Sequence, residues 1–101
     1  MSFGISDNVL DDITYVFAKY KKIDKAVLYG SRAKGNYKAG SDIDIAIFSV
    51  DINLTELNKL STELDDLLLP YIFDLTIHQQ IKNKDLLEHI SRVGVEIYKR
   101  E

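Results

Sequence analysis

Apolar positions early in the chain recur at helical spacing. Val9, Leu10, Ile13, Val16, Phe17 and Tyr20 fall three and four residues apart, which predicts an amphipathic helix from residue 7 to about 21. Ser6-Asp7-Asn8 supply N-cap chemistry before it, and Lys19, Lys21 and Lys22 place positive charge at its far end. Lys25-Ala26-Val27-Leu28-Tyr29, stopped by Gly30, reads as a short buried strand. Residues 30–41 carry Gly30, Gly35 and Gly40 and are expected to form a turn with one helical turn inside it. Asp42 to Phe48 alternates with period two, placing Asp42, Asp44, Ala46 and Phe48 on one face and Ile43, Ile45 and Ile47 on the other. Asn53 and Glu56 have capping-box spacing ahead of a helix with Leu57, Leu60, Leu64, Leu67 and Leu68, which Pro70 ends. Tyr71 to Ile77 is rich in β-formers and predicts a third strand. Asn83 caps a last helix whose inner face is Leu86, Leu87, Ile90 and Val93, with Gly94 as its C′ residue. Val95-Glu96-Ile97-Tyr98 follows as a short edge strand.

The order helix, strand, loop, strand, helix, strand, helix is that of a compact α/β fold. With 101 residues the chain is expected to form one domain over 1–101. Apolar types at 46 % and charged types at 29 % are globular values, which excludes disordered and fibrous classes. The 13 basic and 16 acidic side chains give a net charge of −3. That balance argues against a face that grips a polynucleotide backbone or an anionic membrane. Cysteine is absent, so disulfides, thiolate-held metals and thiol catalysis are excluded. His78 and His89 are the only histidines, which leaves oxygen ligands to hold any catalytic metal. No run approaches the ~18 apolar residues of a membrane span. The first residues, Met1 to Asp7, lack the basic start of a signal peptide, so the expected location is the cytoplasm.

The informative stretch runs from Gly30 to Asp44. Asp42 and Asp44 project to one face of a strand with Cα atoms about 6.5–7 Å apart. Two carboxylates that close repel, and a divalent cation such as Mg²⁺ resolves the conflict. Asp74 sits in the middle of the next strand; if the two strands are neighbours, three carboxylates converge as a cage for two Mg²⁺ ions beside a phosphorus centre. Gly30 permits close backbone approach to a ligand, and Ser31 can cap the turn or donate its hydroxyl to a phosphate. Arg32, Lys34 and Lys38 add positive charge nearby, and Arg32 joins Gly30 and Ser31 as a candidate nucleotide-binding residue. Gly-Ser, ten residues, then Asp-x-Asp occurs by chance in about one chain per thousand of this length. Other motifs fail: Asn36-Tyr37 stands where a P-loop needs Lys and Ser/Thr, and no Gly-x-Gly-x-x-Gly or Gly-x-Ser-x-Gly is present. His78, on the Asp74 face, and His89, on the last helix, read as ordinary polar residues, and the tyrosines as core or rim.

These residues resemble the minimal nucleotidyltransferases (MNT) of the polymerase-β-like superfamily. The match is to the signature Gly-Ser-x10-Asp-x-Asp, here Gly30, Ser31, Asp42 and Asp44, with Asp74 at the place of the third acid. The likeness covers nearly the whole chain and is to the stand-alone MNT antitoxins encoded beside a helical HEPN partner. It implies helices flanking a small mixed sheet, and transfer of AMP from ATP to a tyrosine of the HEPN ribonuclease. It also implies that Asp42 and Asp44 hold both Mg²⁺ ions and the triphosphate. Asp74 would complete the acceptor-side metal site, with Gly30 and Ser31 on the β- and γ-phosphates. Larger relatives that modify small molecules carry extra acceptor-binding helices, so here a protein partner is expected to bring the acceptor. Two alternatives stand beside this reading: a nucleotide-binding module that inhibits its partner by occlusion, and transfer to a small molecule with a helical subunit.

Overall fold

The computed structural model describes residues 3–38, 40–67 and 69–100. Met1, Ser2, Ala39 and Leu68, on which parts of the reading above rest, lie outside the described residues. The elements are α1 (Asp7–Ala18), β1 (Lys25–Tyr29), α2 (Gly30–Lys34), β2 (Ile43–Phe48), α3 (Leu54–Asp65), β3 (Phe73–Ile77), α4 (Lys84–Val93) and β4 (Val95–Lys99). A single 3-10 turn, His78–Gln80, follows β3.

Local chemistry sets most boundaries. Ser6 Oγ accepts the Val9 N–H at 3.3 Å and starts α1. That helix ends sooner than its apolar spacing predicts. Its last turn tightens as Lys19 N–H and Tyr20 N–H donate to Val16 O and Phe17 O, which turns the chain so that Ile23 is buried. Lys19 and Lys22 then pair with Glu63 and Glu56 of α3, at 3.2 and 3.0 Å, and tie the two helices together. The capping box of α3 is complete: Glu56 N–H donates to Asn53 Oδ1 at 2.8 Å, and Asn53 N–H to Glu56 Oε1 at 3.3 Å. Asn83 Oδ1 accepts from Asp85 and Leu86 N–H and starts α4.

Gly94 corrects an expectation. It does not take the left-handed C′ conformation but φ −61°, ψ 143°. Glycine is needed there for space: a Cβ would lie 2.6 Å from Val27 Cγ1 and overlap Ile90 O.

The sheet order is β3-β2-β1-β4, with β1 antiparallel to both β2 and β4 and β2 parallel to β3. The α/β expectation holds, and the sheet is mixed. One face carries the main core, where Ala26, Leu28, Ile43, Ile45, Ile47, Phe73 and Ile77 meet Ile13 and Phe17 of α1 and Leu60 and Leu64 of α3. The other face carries a smaller cluster of Val27, Tyr29 and Ala46 under Ile90 of α4. Of the expected inner face of α4 only Ile90 is buried, with half-buried Leu86 packed beside it, so α4 covers the second face thinly. Asp44 is half-exposed on that face, and Asp74, on the edge strand β3, is exposed.

Candidate active site

The carboxylates come first. Parallel pairing puts Asp44 and Asp74 in register. In-register residues of adjacent strands point to one side of a sheet, with backbones about 4.8 Å apart. Asp42 lies exposed just before β2. Burial, and after it the negative charges of Asp74 and Asp42, push the Asp44 carboxyl above its ordinary value. Asp42 and Asp74 therefore both act electrostatically on Asp44.

Their donor set suits Mg²⁺, which prefers hard carboxylate oxygens, and a cation would relieve the repulsion felt by Asp44. Among the described residues no three acidic or imidazole groups are gathered as a ready metal cage. The acids share a face and a repulsive field rather than a closed coordination shell, which is less than the convergence expected from the sequence.

Gly30 forms the corner beside them. Its φ of +77° is in the left-handed region, and a Cβ there would overlap Asp44 Oδ2 and stand 3.2 Å from its Cγ. Tyr29, the register partner of Asp44 across β1 and β2, is buried. Its hydroxyl meets Thr76 Oγ1 at 3.3 Å. Burial raises the Tyr29 phenol, the Thr76 hydrogen bond works the other way, and the Asp44 and Asp74 charges raise it further. Gly30 N–H donates to His89 Nε2 at 3.0 Å, and the imidazole stands edge-on to the Tyr29 ring, centroids 6.1 Å apart.

Tyr29, Thr76 and His89 were not candidates by sequence, although signals existed. Alternation places Tyr29 with Val27, and Thr76 with Asp74. His89, three residues after Leu86, lies at the margin of the inner stripe of α4.

Ser31 sits half-buried in α2, directly after the corner, and its carbonyl accepts the Gly35 and Asn36 N–H groups. Arg32 departs from the expectation of a phosphate-facing cation. It is 2 % exposed. Its Nε and Nη2 donate to Ser41 O at 3.1 and 2.8 Å, and its Nη1 to Phe3 O at 3.0 Å. The Tyr37 and Tyr71 rings lie 5.2 and 5.0 Å from the guanidinium. A planar fork with donors on three sides closes the glycine loop onto the N-terminal segment, a structural task. Lys34 and Lys38 are exposed. His78 stacks on Phe48 at 4.0 Å, where burial and then Lys25 lower its pKa. It lines a groove of about 390 Å³ with Lys25, Val27, Phe48 and Ile90, a group that contains none of the three aspartates.

Among the described residues no helix is long and apolar enough to cross a membrane. Comparison with known proteins identifies the family and the fold. The family described as "Polymerase beta, Nucleotidyltransferase" matches residues 11–101. The chain is 30 % identical over 84 residues to "Putative protein adenylyltransferase MJ0141" of Methanocaldococcus jannaschii, covering 75 % of this chain and 80 % of that one. Among solved structures, a toxin-antitoxin with AMP-PNP matches with a TM-score of 0.75 at 21 % identity, covering 91 % of this chain and 74 % of the other. A structure of tri-AMPylated Shewanella oneidensis HEPN toxin in complex with MNT antitoxin matches with a TM-score of 0.69 at 19 % identity, covering 92 % of this chain and 71 % of the other. These two likenesses speak to the fold. A sheet that sets Asp44 beside Asp74 at a glycine corner, on a chain matched by the family model over most of its length, places this protein in the polymerase β nucleotidyltransferase family, as a nucleotidyltransferase.

Proposed function

We propose that this nucleotidyltransferase transfers AMP from ATP to a tyrosine hydroxyl of a HEPN-type toxin partner in the cytoplasm and silences it. The observation that carries the reading is the in-register pair Asp44 and Asp74, on the open part of the second sheet face and against the Gly30 corner. The relative named as a protein adenylyltransferase supports AMP as the group transferred and a protein as the acceptor. The antitoxin seen with an AMPylated HEPN toxin supports the class of partner.

Asp42, Asp44 and Asp74 are the residues that would hold Mg²⁺, which when bound supplies charge neutralisation for the in-line displacement. Gly30 and Ser31 position the β- and γ-phosphates so that the α-phosphorus faces the acceptor. Asp74, the most open acid of the in-register pair, draws the proton from the incoming hydroxyl. The P–O bond to the new acceptor forms as the bond to pyrophosphate breaks. Orientation and charge neutralisation carry most of the acceleration.

Incubation of the partner with this protein, ATP and Mg²⁺ should add the mass of AMP less water to each modified tyrosine, read by mass spectrometry. A partner that stays unmodified while still neutralised speaks for occlusion. The Asp42→Asn/Asp44→Asn variant separates the two further. Neutralisation lost with the complex intact supports transfer, and neutralisation retained counts against it.

A further inference from the structure

The Gly30 N–H, at the corner that the family resemblance gives to the phosphates, already has a partner within the chain. It donates to His89 Nε2 at 3.0 Å across 59 positions of sequence. The same imidazole packs edge-on to the Tyr29 ring with planes at 80°. One side chain of α4 therefore holds both residues of the β1–α2 junction. The Asp44 carboxylate also presses against Gly30, so close that no Cβ fits between. A glycine has no side chain to wedge it in place and the most backbone freedom to lose. An anchor from another element keeps such a corner in one conformation.

We propose that His89 is a positioning residue: its Nε2 pins the Gly30 amide and, through Gly30, sets where the Asp44 carboxylate stands. This deepens the nucleotidyl-transfer reading and rests on it for its kinetic consequence alone. Gly30 then serves the nucleotide by leaving room, while its N–H is committed to the imidazole. Accepting that N–H uses the Nε2 lone pair, so the ring carries its proton on Nδ1.

The test compares wild-type protein with His89→Phe and His89→Gln, the first keeping a ring against Tyr29 without an acceptor, the second keeping an acceptor. Amide hydrogen exchange at Gly30, followed by NMR, should accelerate about tenfold in His89→Phe and less than about threefold in His89→Gln. The amides of Leu28 and Ala46, inside the sheet, should exchange as in wild type. Equal Gly30 exchange in wild type and His89→Phe overturns the proposal. Should His89→Phe fail to fold, His89→Asn, whose shorter amide falls short of the corner, provides the same comparison. In the transfer reaction, His89→Phe should raise KM for ATP with Mg²⁺ about three- to tenfold, with a smaller fall in kcat, and His89→Gln should restore both. A lower KM in His89→Phe overturns the proposal, because the imidazole would then be competing with phosphate for the amide. A wild-type protein that transfers no nucleotide but shows the exchange pattern upholds the His89 anchor and removes only the reaction.

Discussion

Asp74 stands beside Asp44 as its register partner on the neighbouring parallel strand, and its negative charge adds to burial in raising the Asp44 carboxyl. A fold driven by stability alone would not keep two acids side by side on a half-covered face, since like charges opposite one another weaken a sheet. The pair is tolerated because each carboxylate keeps access to solvent, and both point where α4 leaves the second face open. In the proposed reaction the same repulsion is what a bound cation would relieve.

Neutral substitutions at these acids should separate the two. Asp44→Asn and Asp74→Asn should each lower AMP transfer by at least about a hundredfold, the scale of losing one electrostatic contact to developing charge. Neither should unfold the protein. Quantitation of the modified partner by mass spectrometry, with circular dichroism as the fold control, checks both halves. Transfer within tenfold of wild type in Asp74→Asn would remove that residue from the mechanism.

The raised Asp44 carboxyl also makes a statement about pH. Its folded-state value lies above its ordinary 3.8, so the native protein binds more protons than the unfolded chain between the two values. Its contribution to stability is favourable below the ordinary value and fades as pH rises through the folded one. At neutral pH the ionised group opposes folding. In metal-free buffer at pH 7, Asp44→Asn should therefore melt a few degrees higher than wild type, and the gap should close near pH 3. Added Mg²⁺ should raise the wild-type Tm and leave that of Asp44→Asn nearly unmoved. Thermal melts with and without the ion provide the reading, and a Mg²⁺ response of equal size in both proteins would place the ion elsewhere.

Two glycines share a backbone conformation but differ in surroundings. Gly30 at φ +77° lies against Asp44, whereas at Gly35, φ +86°, a Cβ would meet nothing within 4 Å beyond its own local backbone. Gly35→Ala should cost about 1 kcal/mol, the left-handed penalty alone, and leave transfer intact. Gly30→Ala should carry that cost and also displace the Asp44 carboxylate, lowering transfer about a hundredfold. Urea unfolding and kinetics on the two variants check the contrast, and equal activities would show that the corner does not set the acid.

Arg32 should behave as a structural residue. Arg32→Ala removes charge-assisted hydrogen bonds to Ser41 O and Phe3 O and leaves those carbonyls without their donor. A loss of about 2–4 kcal/mol is expected. Arg32→Lys should recover little of it, because an ammonium cannot reproduce the planar fork between Tyr37 and Tyr71. Denaturant titration measures the loss. Full stability in Arg32→Ala together with weakened ATP binding would return this side chain to the phosphates.

Much of this is legible in the amino-acid sequence itself. Strand β1 occupies Lys25–Tyr29 as its apolar run predicted, and the Asn53–Glu56 box caps α3. Period-two alternation correctly separated Ile43, Ile45 and Ile47 from the face of Asp44 and Ala46. These features depend on neighbours a few residues away, and local periodicity and capping encode them directly. Strand order, the parallel register that brings Asp74 to Asp44, the inward turn of Arg32 and the reach of His89 to Gly30 required the folded molecule. Each joins distant segments, and its geometry follows from which faces bury the most apolar surface together. A linear pattern records that a residue is polar and on which side of its own element it lies. It does not record which carbonyl, amide or carboxylate another element will bring to meet it.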